Sequence, residues 1–203
     1  MQSLVLGNGE SRSSVDISKV SCIKYGCNAI HRDYFVEHLI CVDTRMVDEA
    51  LKNSTTLNSK IYTRTNWIQE YNQYPHVSIV PSLPYTGQSR PDDPWHWGSG
   101  PYAVLLAAIE NTDVHMLGFD LYGNDHLVNN VYKGTANYLT PDKPKVDPSY
   151  WVYQIGKVFE YFPNTQFTIY NVDDWQLPRE WSLSNVNLLS IADFTMAVAD
   201  LQT

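Results

Sequence analysis

Charge and cysteine are both scarce in this chain. Asp, Glu, Lys and Arg together make up 18% of the 203 residues, and there are three cysteines. A disordered chain needs more charge and fewer apolar side chains, whereas 43% of residues here are hydrophobic, so a packed core is expected. Cys22, Cys27 and Cys41 form neither a metal-ligand spacing nor a disulfide framework, and two of them sit in apolar runs. That usage fits a reducing compartment. Basic residues are the scarcer charge: 14 Lys and Arg against 22 Asp and Glu leave a formal net charge of −8. This balance argues against a broad nucleic-acid surface, which needs clustered Lys and Arg. It leaves room for a small anion held by local donors such as Arg12, Lys24 and Arg32. No apolar run approaches the roughly 20 residues of a membrane helix, and no basic segment leads into an apolar stretch at the start. A soluble, cytoplasmic protein is expected.

What is present is led by one stretch, Leu4-Val5-Leu6-Gly7-Asn8-Gly9-Glu10-Ser11. It reads as a short buried strand that ends in a turn. Gly7 and Gly9 can take positive φ and leave room for a ligand beside the chain. Asn8 offers a donor and an acceptor without charge. The third glycine of the dinucleotide fingerprint is missing.

Further strands are expected at 20–24, 38–43, 60–63, 77–80, 113–120 and 166–170. Helices are expected at 45–52, 65–71 and 149–162, and one is opened by Gly98-Ser99-Gly100-Pro101, where Pro101 suits a first helical turn. Segments 81–97 and 121–148 read as irregular. The tail, 172–203, carries a helix at 188–201 that docks on the domain or on a second subunit of a homo-oligomer. Alternating strands and helices predict an α/β fold: one Rossmann-like nucleotide-binding domain over 1–203, with a mainly parallel sheet and helices on both faces. In such sheets ligands bind at the carboxyl ends of the strands.

Four turns fall at those ends or at helix starts: Gly7-Asn8-Gly9, Gly26-Cys27-Asn28, Gly98-Ser99-Gly100 and Gly118-Phe119-Asp120-Leu121-Tyr122. In this order the chain resembles the bacterial sialyltransferases that use a CMP-sugar donor. That family ends successive strands in Gly-Asn-Gly-Pro-Ser, Arg-Cys-Asn and Gly-Ile-Asp-Phe-Tyr, and opens a helix with Ser-Thr-Gly. The resemblance spans roughly residues 3–170. It implies a donor site with Gly7, Asn8, Gly9, Ser11, Asn28, Ser99, Gly100 and Asp120 around the nucleotide, Asn28 near the phosphate. Ser99 and Gly100 would supply a hydroxyl and backbone N–H groups at a helix N-terminus. Tyr122 would donate its phenol to the leaving phosphate, with Tyr132 as a second donor. No cofactor or metal is implied beyond the CMP-sugar, and the partners are that donor and a hydroxyl acceptor.

The chain departs from the family at Glu10, where the family has proline, and at Gly26, where it has arginine. Its general-base histidine has one counterpart in the matching window, His126. His96, between two tryptophans, is a second candidate base; His115, inside a strand, reads as structural. Asp92-Asp93 and Asp173-Asp174 read as solvated loop acids. No nucleophile elbow is present. The leading expectation is a glycosyltransferase using a nucleotide-linked sugar. The alternatives are a magnesium-dependent enzyme resembling archaeal pterin diphosphokinases, which carry similar turns, and a non-catalytic nucleotide-binding or assembly module.

Overall fold

The computed structural model describes residues 1–122 and 127–194. It contains one eight-stranded sheet in the order β5-β4-β3-β2-β1-β6-β7-β8, with every neighbouring pair parallel. The strands are β1 (Gln2–Leu6), β2 (Ile23–Cys27), β3 (His38–Ile40), β4 (Lys60–Thr63), β5 (Val77–Ile79), β6 (Asp113–Leu117), β7 (Gln166–Asn171) and β8 (Val186–Ser190). The helices are α1 (Thr44–Leu51), α2 (Ser99–Glu110) and α3 (Ser149–Tyr161). This is the Rossmann-like α/β architecture expected from the sequence.

Alternation along the strands decides which helix covers which face. On β1, Val5 faces α2 and α3 with Tyr25, Ile40, Met116 and Ile169. Leu4 and Leu6 face the other way, toward Ala29, Ile30 and the α1 residues Met46, Val47 and Ala50. From Tyr102 to Ala108, α2 is buried throughout, as an all-apolar helix must be.

Strand order reverses between β1 and β6, and these two strands pair in register. Leu6 lies opposite both Gly26 and Leu117. Gly7, Asn28 and Gly118 therefore stand along one edge of the sheet, as expected of residues that each close an apolar strand. The turns after β1 and β6 flank the switch point, where an open α/β sheet forms its crevice.

Some expected elements differ. The second strand is three residues later than 20–24. The helix expected at 65–71 is a short 3-10 turn, Ile68–Tyr71. Within the expected 188–201 helix, Leu188 to Ser190 belong to β8, which pairs with β7. A short apolar run does not distinguish strand from helix, and the free edge of β7 settles it here. Asn185 anchors the entry to β8 by donating to the carbonyls of Phe159, Phe162 and Thr165 at 3.1–3.2 Å. Residues 195–201 lie outside the described chain. No helix among the described residues is long and apolar enough to cross a membrane.

Candidate functional site

A cavity of about 350 Å³ opens at the switch point. Gly7, Asn8 and Gly9 after β1, and Gly118 to Leu121 after β6, form two of its walls. Asn28 closes β2, and Gly98, Ser99 and Gly100 start α2 on the far side. Asn129 and Asn130 come from the segment that follows β6, and Asp43, Arg64 and His96 come from loops after β3, β4 and β5.

Asn28 is held in an unusual backbone conformation in this wall. Its φ is +51°, in the left-handed region that Asn tolerates better than most side chains. The backbone N–H of Val42 donates to the Ser99 hydroxyl at 3.1 Å. The Ser99 proton is therefore free to be donated onward, and it goes to Asn28 Oδ1 at 2.8 Å. With the amide in this orientation Oδ1 accepts from Ser99, and Nδ2 has no acceptor among the described residues. Ser99 thus uses its hydroxyl within the protein, not as the ligand donor expected from sequence.

The start of α2 carries no side-chain N-cap, so its first N–H groups have no side-chain acceptor. Gly100 is informative by what surrounds it. A Cβ there would meet one atom, in the Phe119 ring, at an ordinary 3.6 Å. Internal packing does not require glycine at that position.

Gly7 and Gly9 have the opposite explanation, and their expected role is corrected. Neither takes a positive φ. A Cβ on Gly7 would overlap the Gly118 carbonyl, and one on Gly9 would overlap the Asp120 carboxylate. Their smallness lets the β1 and β6 turns touch. Gly9 N donates to Gly118 O at 2.8 Å, and Gly118 itself has φ +77°. Asp120 accepts the Ser11 N–H at 2.8 Å and the Ser11 hydroxyl. Burial raises the Asp120 pKa, with the Ser11 bonds acting against the rise. Ser11 itself does not line the cavity.

Asn8 donates to the Cys27 carbonyl and the Tyr138 hydroxyl, both at 3.3 Å, and its buried Oδ1 has no partner among the described residues. Two of the other expected residues lie elsewhere. The Tyr122 phenol donates to the Gln176 carbonyl at 3.2 Å, and its ring stacks on Trp175. The Tyr132 phenol donates to Asp33 at 2.7 Å and accepts from Arg12 at 2.7 Å. Neither lines the cavity. His126 lies outside the described residues. His96 is in the cavity wall, its Nε2 accepting from Arg90 Nε at 3.3 Å.

The local cations named from sequence are spent on internal partners. Arg12 pairs with Asp33 at 3.3 Å, Arg32 with Glu49 at 2.6 Å, and Lys24 with Glu37 at 3.7 Å. Glu10, the charge that replaces the family's proline, pairs with Lys133 at 2.6 Å. The cation at the cavity is instead Arg64, which sequence reading missed. It donates to the Trp97 carbonyl at 3.1 Å, stacks over the Trp95 ring at 4.9 Å and leaves a buried Nε without a partner among the described residues. Burial lowers its pKa, but an arginine starts so far above neutrality that it stays charged. Among the described residues it forms no ion pair. The signal available in sequence was weak: a lone arginine directly after a strand.

The loop that presents His96 and Trp97 is pinned to α3. Gln154, fully buried, donates to the carbonyls of Pro91 and His96 at 3.3 and 3.0 Å. Asp92 is not the solvated acid expected: it is buried and accepts from Ser89 N at 2.9 Å and from the Tyr153 hydroxyl at 2.8 Å. Among the described residues, no group of three His, Cys, Asp or Glu is placed to hold a metal.

The fold and its cavity define a Rossmann-like sheet with a polar crevice at the switch point. A solved structure of similar shape is that of an alpha-2,3/8-sialyltransferase, CstII, carrying a point mutation. The TM-score is 0.45 at 11% identity, over 83% of this chain and 81% of that one. A likeness at that level says nothing about substrate. No family model matches the chain, and no curated protein sequence matches it.

Proposed function

We propose that this chain binds a nucleotide-linked sugar in the switch-point cavity, CMP-linked in the first instance, and transfers the sugar to a hydroxyl acceptor. One observation carries the reading. The free Asn28 Nδ2, the uncapped start of α2 and the Arg64 guanidinium line one cavity, and all of them offer donors to an anion. The neutral amides of Asn8, whose Oδ1 has no partner among the described residues, and of Asn130, whose Oδ1 accepts from the Tyr132 N–H at 2.9 Å and leaves Nδ2 over, suit a base and sugar, which need donors and acceptors without charge.

In the reaction, the acceptor oxygen forms a bond to the anomeric carbon. The bond from that carbon to the phosphate oxygen breaks, and its electron pair leaves with the nucleoside monophosphate. Donors aimed at the departing phosphate stabilise the developing charge. Asn28, the α2 N-terminus and Arg64 take that role, in place of the phenols of Tyr122 and Tyr132. The acceptor proton passes to a base, for which His126 and His96 are candidates, with Asp142 and Asp147 as the acids in the same stretch of chain.

A non-catalytic nucleotide-binding module is the second reading. It is favoured by the engagement of His96 Nε2 with Arg90. Calorimetry with CMP, CDP, UDP, GDP and ATP, with and without Mg²⁺, followed by NMR of a CMP-linked sugar incubated with the protein, separates the readings. Metal-independent CMP binding with release of CMP from the sugar is expected. CMP binding without release leaves the binding module. ATP binding that requires Mg²⁺ moves the protein to phosphoryl transfer. Binding of none of the five sinks the nucleotide site.

A further inference from the structure

Along with the apolar Ile155, Val158 and Phe159, α3 buries one amide completely, that of Gln154. A buried amide costs free energy unless its hydrogen bonds are made. Here both ends are used. Nε2 donates to the carbonyls of Pro91 and His96 at 3.3 and 3.0 Å, and Oε1 accepts the Gly98 N–H at 3.4 Å. The surroundings leave one orientation, because a flipped amide would set its oxygen against two carbonyls. All three partners belong to one stretch, Pro91 to Gly98, in the loop between β5 and α2. Two 3-10 turns, Arg90–Asp92 and Pro94–His96, are the regular structure of that loop, so side-chain anchors decide its path.

The same stretch holds the donors of the switch-point cavity. His96 and Gly98 bracket Trp97, so Gln154 grips the backbone on both sides of that residue. The Trp97 carbonyl accepts from Arg64 at 3.1 Å, and this is the one hydrogen bond of the guanidinium among the described residues. Gly98 leads into α2, and the next residue, Ser99, donates to Asn28. A Cβ on Gly98 would come within 3.0 Å of the Trp151 indole nitrogen, so α3 lies directly against this backbone. Tyr153, also on α3, holds the start of the loop by donating to Asp92 at 2.8 Å and makes no hydrogen bond to Trp97 or its neighbours.

We propose that Gln154 is a positioning residue of this cavity. Through the Trp97 peptide it sets the place of the Arg64 guanidinium, and through Gly98 the direction of the first N–H groups of α2. Gln154 does not itself line the cavity. Donors fixed before an anion arrives cost no ordering when it binds. An apolar side chain at 154 fills the same space in α3 but gives the carbonyls of Pro91 and His96 no donor, and the Trp97 peptide is then free to rotate. That these donors receive a phosphate rests on the nucleotide reading; that Gln154 places them does not.

The test compares the wild type with Gln154→Met, Gln154→Glu and Tyr153→Phe. CMP affinity is measured by calorimetry from pH 8 to 5, and the Arg64 Nε–H signal by NMR without ligand, assigned by its loss in Arg64→Lys. Gln154→Met should fold, lower CMP affinity by about tenfold or more and move the Arg64 signal. Gln154→Glu should lose as much at pH 8, where its carboxylate faces two carbonyls. On acidification that carboxyl takes up a proton, donates to the His96 carbonyl and still accepts from Gly98. Its affinity relative to wild type should therefore recover as pH falls, a ratio that cancels the titration of CMP itself. Tyr153→Phe should keep CMP affinity within about twofold and leave the Arg64 signal in place. The proposal is overturned by full CMP affinity or an unmoved Arg64 signal in Gln154→Met. A pH-independent ratio in Gln154→Glu, or an equal loss in Tyr153→Phe, overturns it as well, since either marks a general loosening of the loop. A wild type that binds no CMP removes the nucleotide reading alone. The Arg64 signal then decides: moved in Gln154→Met, it supports the placement of Arg64 by Gln154, and unmoved, it overturns it.

Discussion

Ser99 donates to Asn28 across the mouth of the cavity, from the first residue of α2 to the turn after β2, at 2.8 Å. That one bond joins two elements 71 residues apart and sets which end of the Asn28 amide is left for a ligand. Asn28 is held at φ +51°, so its orientation comes from its partner as well as from its own backbone.

Asn28→Ala should weaken CMP binding by about 1.5–3 kcal/mol if the amide meets a charged phosphate. Asn28→Asp should weaken it further, because a carboxylate there repels the phosphate. The alanine variant should also lose some stability, because Asn tolerates the left-handed region better than Ala does. Calorimetry and urea unfolding on the same preparations check both. Equal CMP affinity in all three proteins would leave Asn28 a turn residue.

Arg64→Ala should lower CMP affinity by about 1.5–3 kcal/mol, the range for hydrogen bonds to charged groups. Arg64→Lys should recover part of it, since a point charge lacks the planar fork. The affinity of the wild type should fall with added salt more steeply than that of Arg64→Ala. Parallel salt dependences would place the phosphate away from Arg64.

Two alanine substitutions of glycine should behave in opposite ways. Gly7→Ala forces a Cβ into the Gly118 carbonyl and should destabilise the fold by about 1–3 kcal/mol or more. Gly100→Ala meets no obstacle and should be neutral or stabilising by about 0.4–1 kcal/mol. Yet Gly100→Ala should weaken CMP binding, because its methyl fills space in the cavity wall. Unfolding midpoints and CMP titrations read out both. Undiminished CMP affinity in Gly100→Ala would mean that the ligand does not approach the α2 start.

Stability should fall on acidification below about pH 6.5. His31, His38 and His115 are mostly buried, and desolvation lowers each pKa below the ordinary histidine value. In the unfolded chain they take up protons near pH 6.5, and in the folded chain only lower down. Over that window the unfolded state binds more protons, so the stability present above it is lost as pH falls toward the folded values. Urea midpoints from pH 8 to 5 should decline, and His115→Gln should flatten the decline. A flat profile in the wild type would contradict the burial of these rings.

The order of elements, the parallel sheet and the level of the strand-end turns were legible in sequence because each rests on local chemistry. Leu4-Val5-Leu6 must be buried, Gly7-Asn8-Gly9 must turn, and Pro101 can open a helix but not continue a strand. What the tertiary structure decided is how each polar group is used. Gly7 and Gly9 are small because β6 lies against them, a contact made across 111 residues between Gly7 and Gly118. Tyr132 reads as a free phenol until Arg12 and Asp33 are brought to it. Arg64 is an unremarked arginine in sequence, and Arg12 and Arg32 look more suited to an anion. Folding pairs those two with carboxylates and leaves Arg64 in the cavity wall with no ion pair among the described residues. Hydrophobic pattern acts along a few residues and can be read there. Which charges remain unpaired depends on partners distant in sequence, and folding alone sets them.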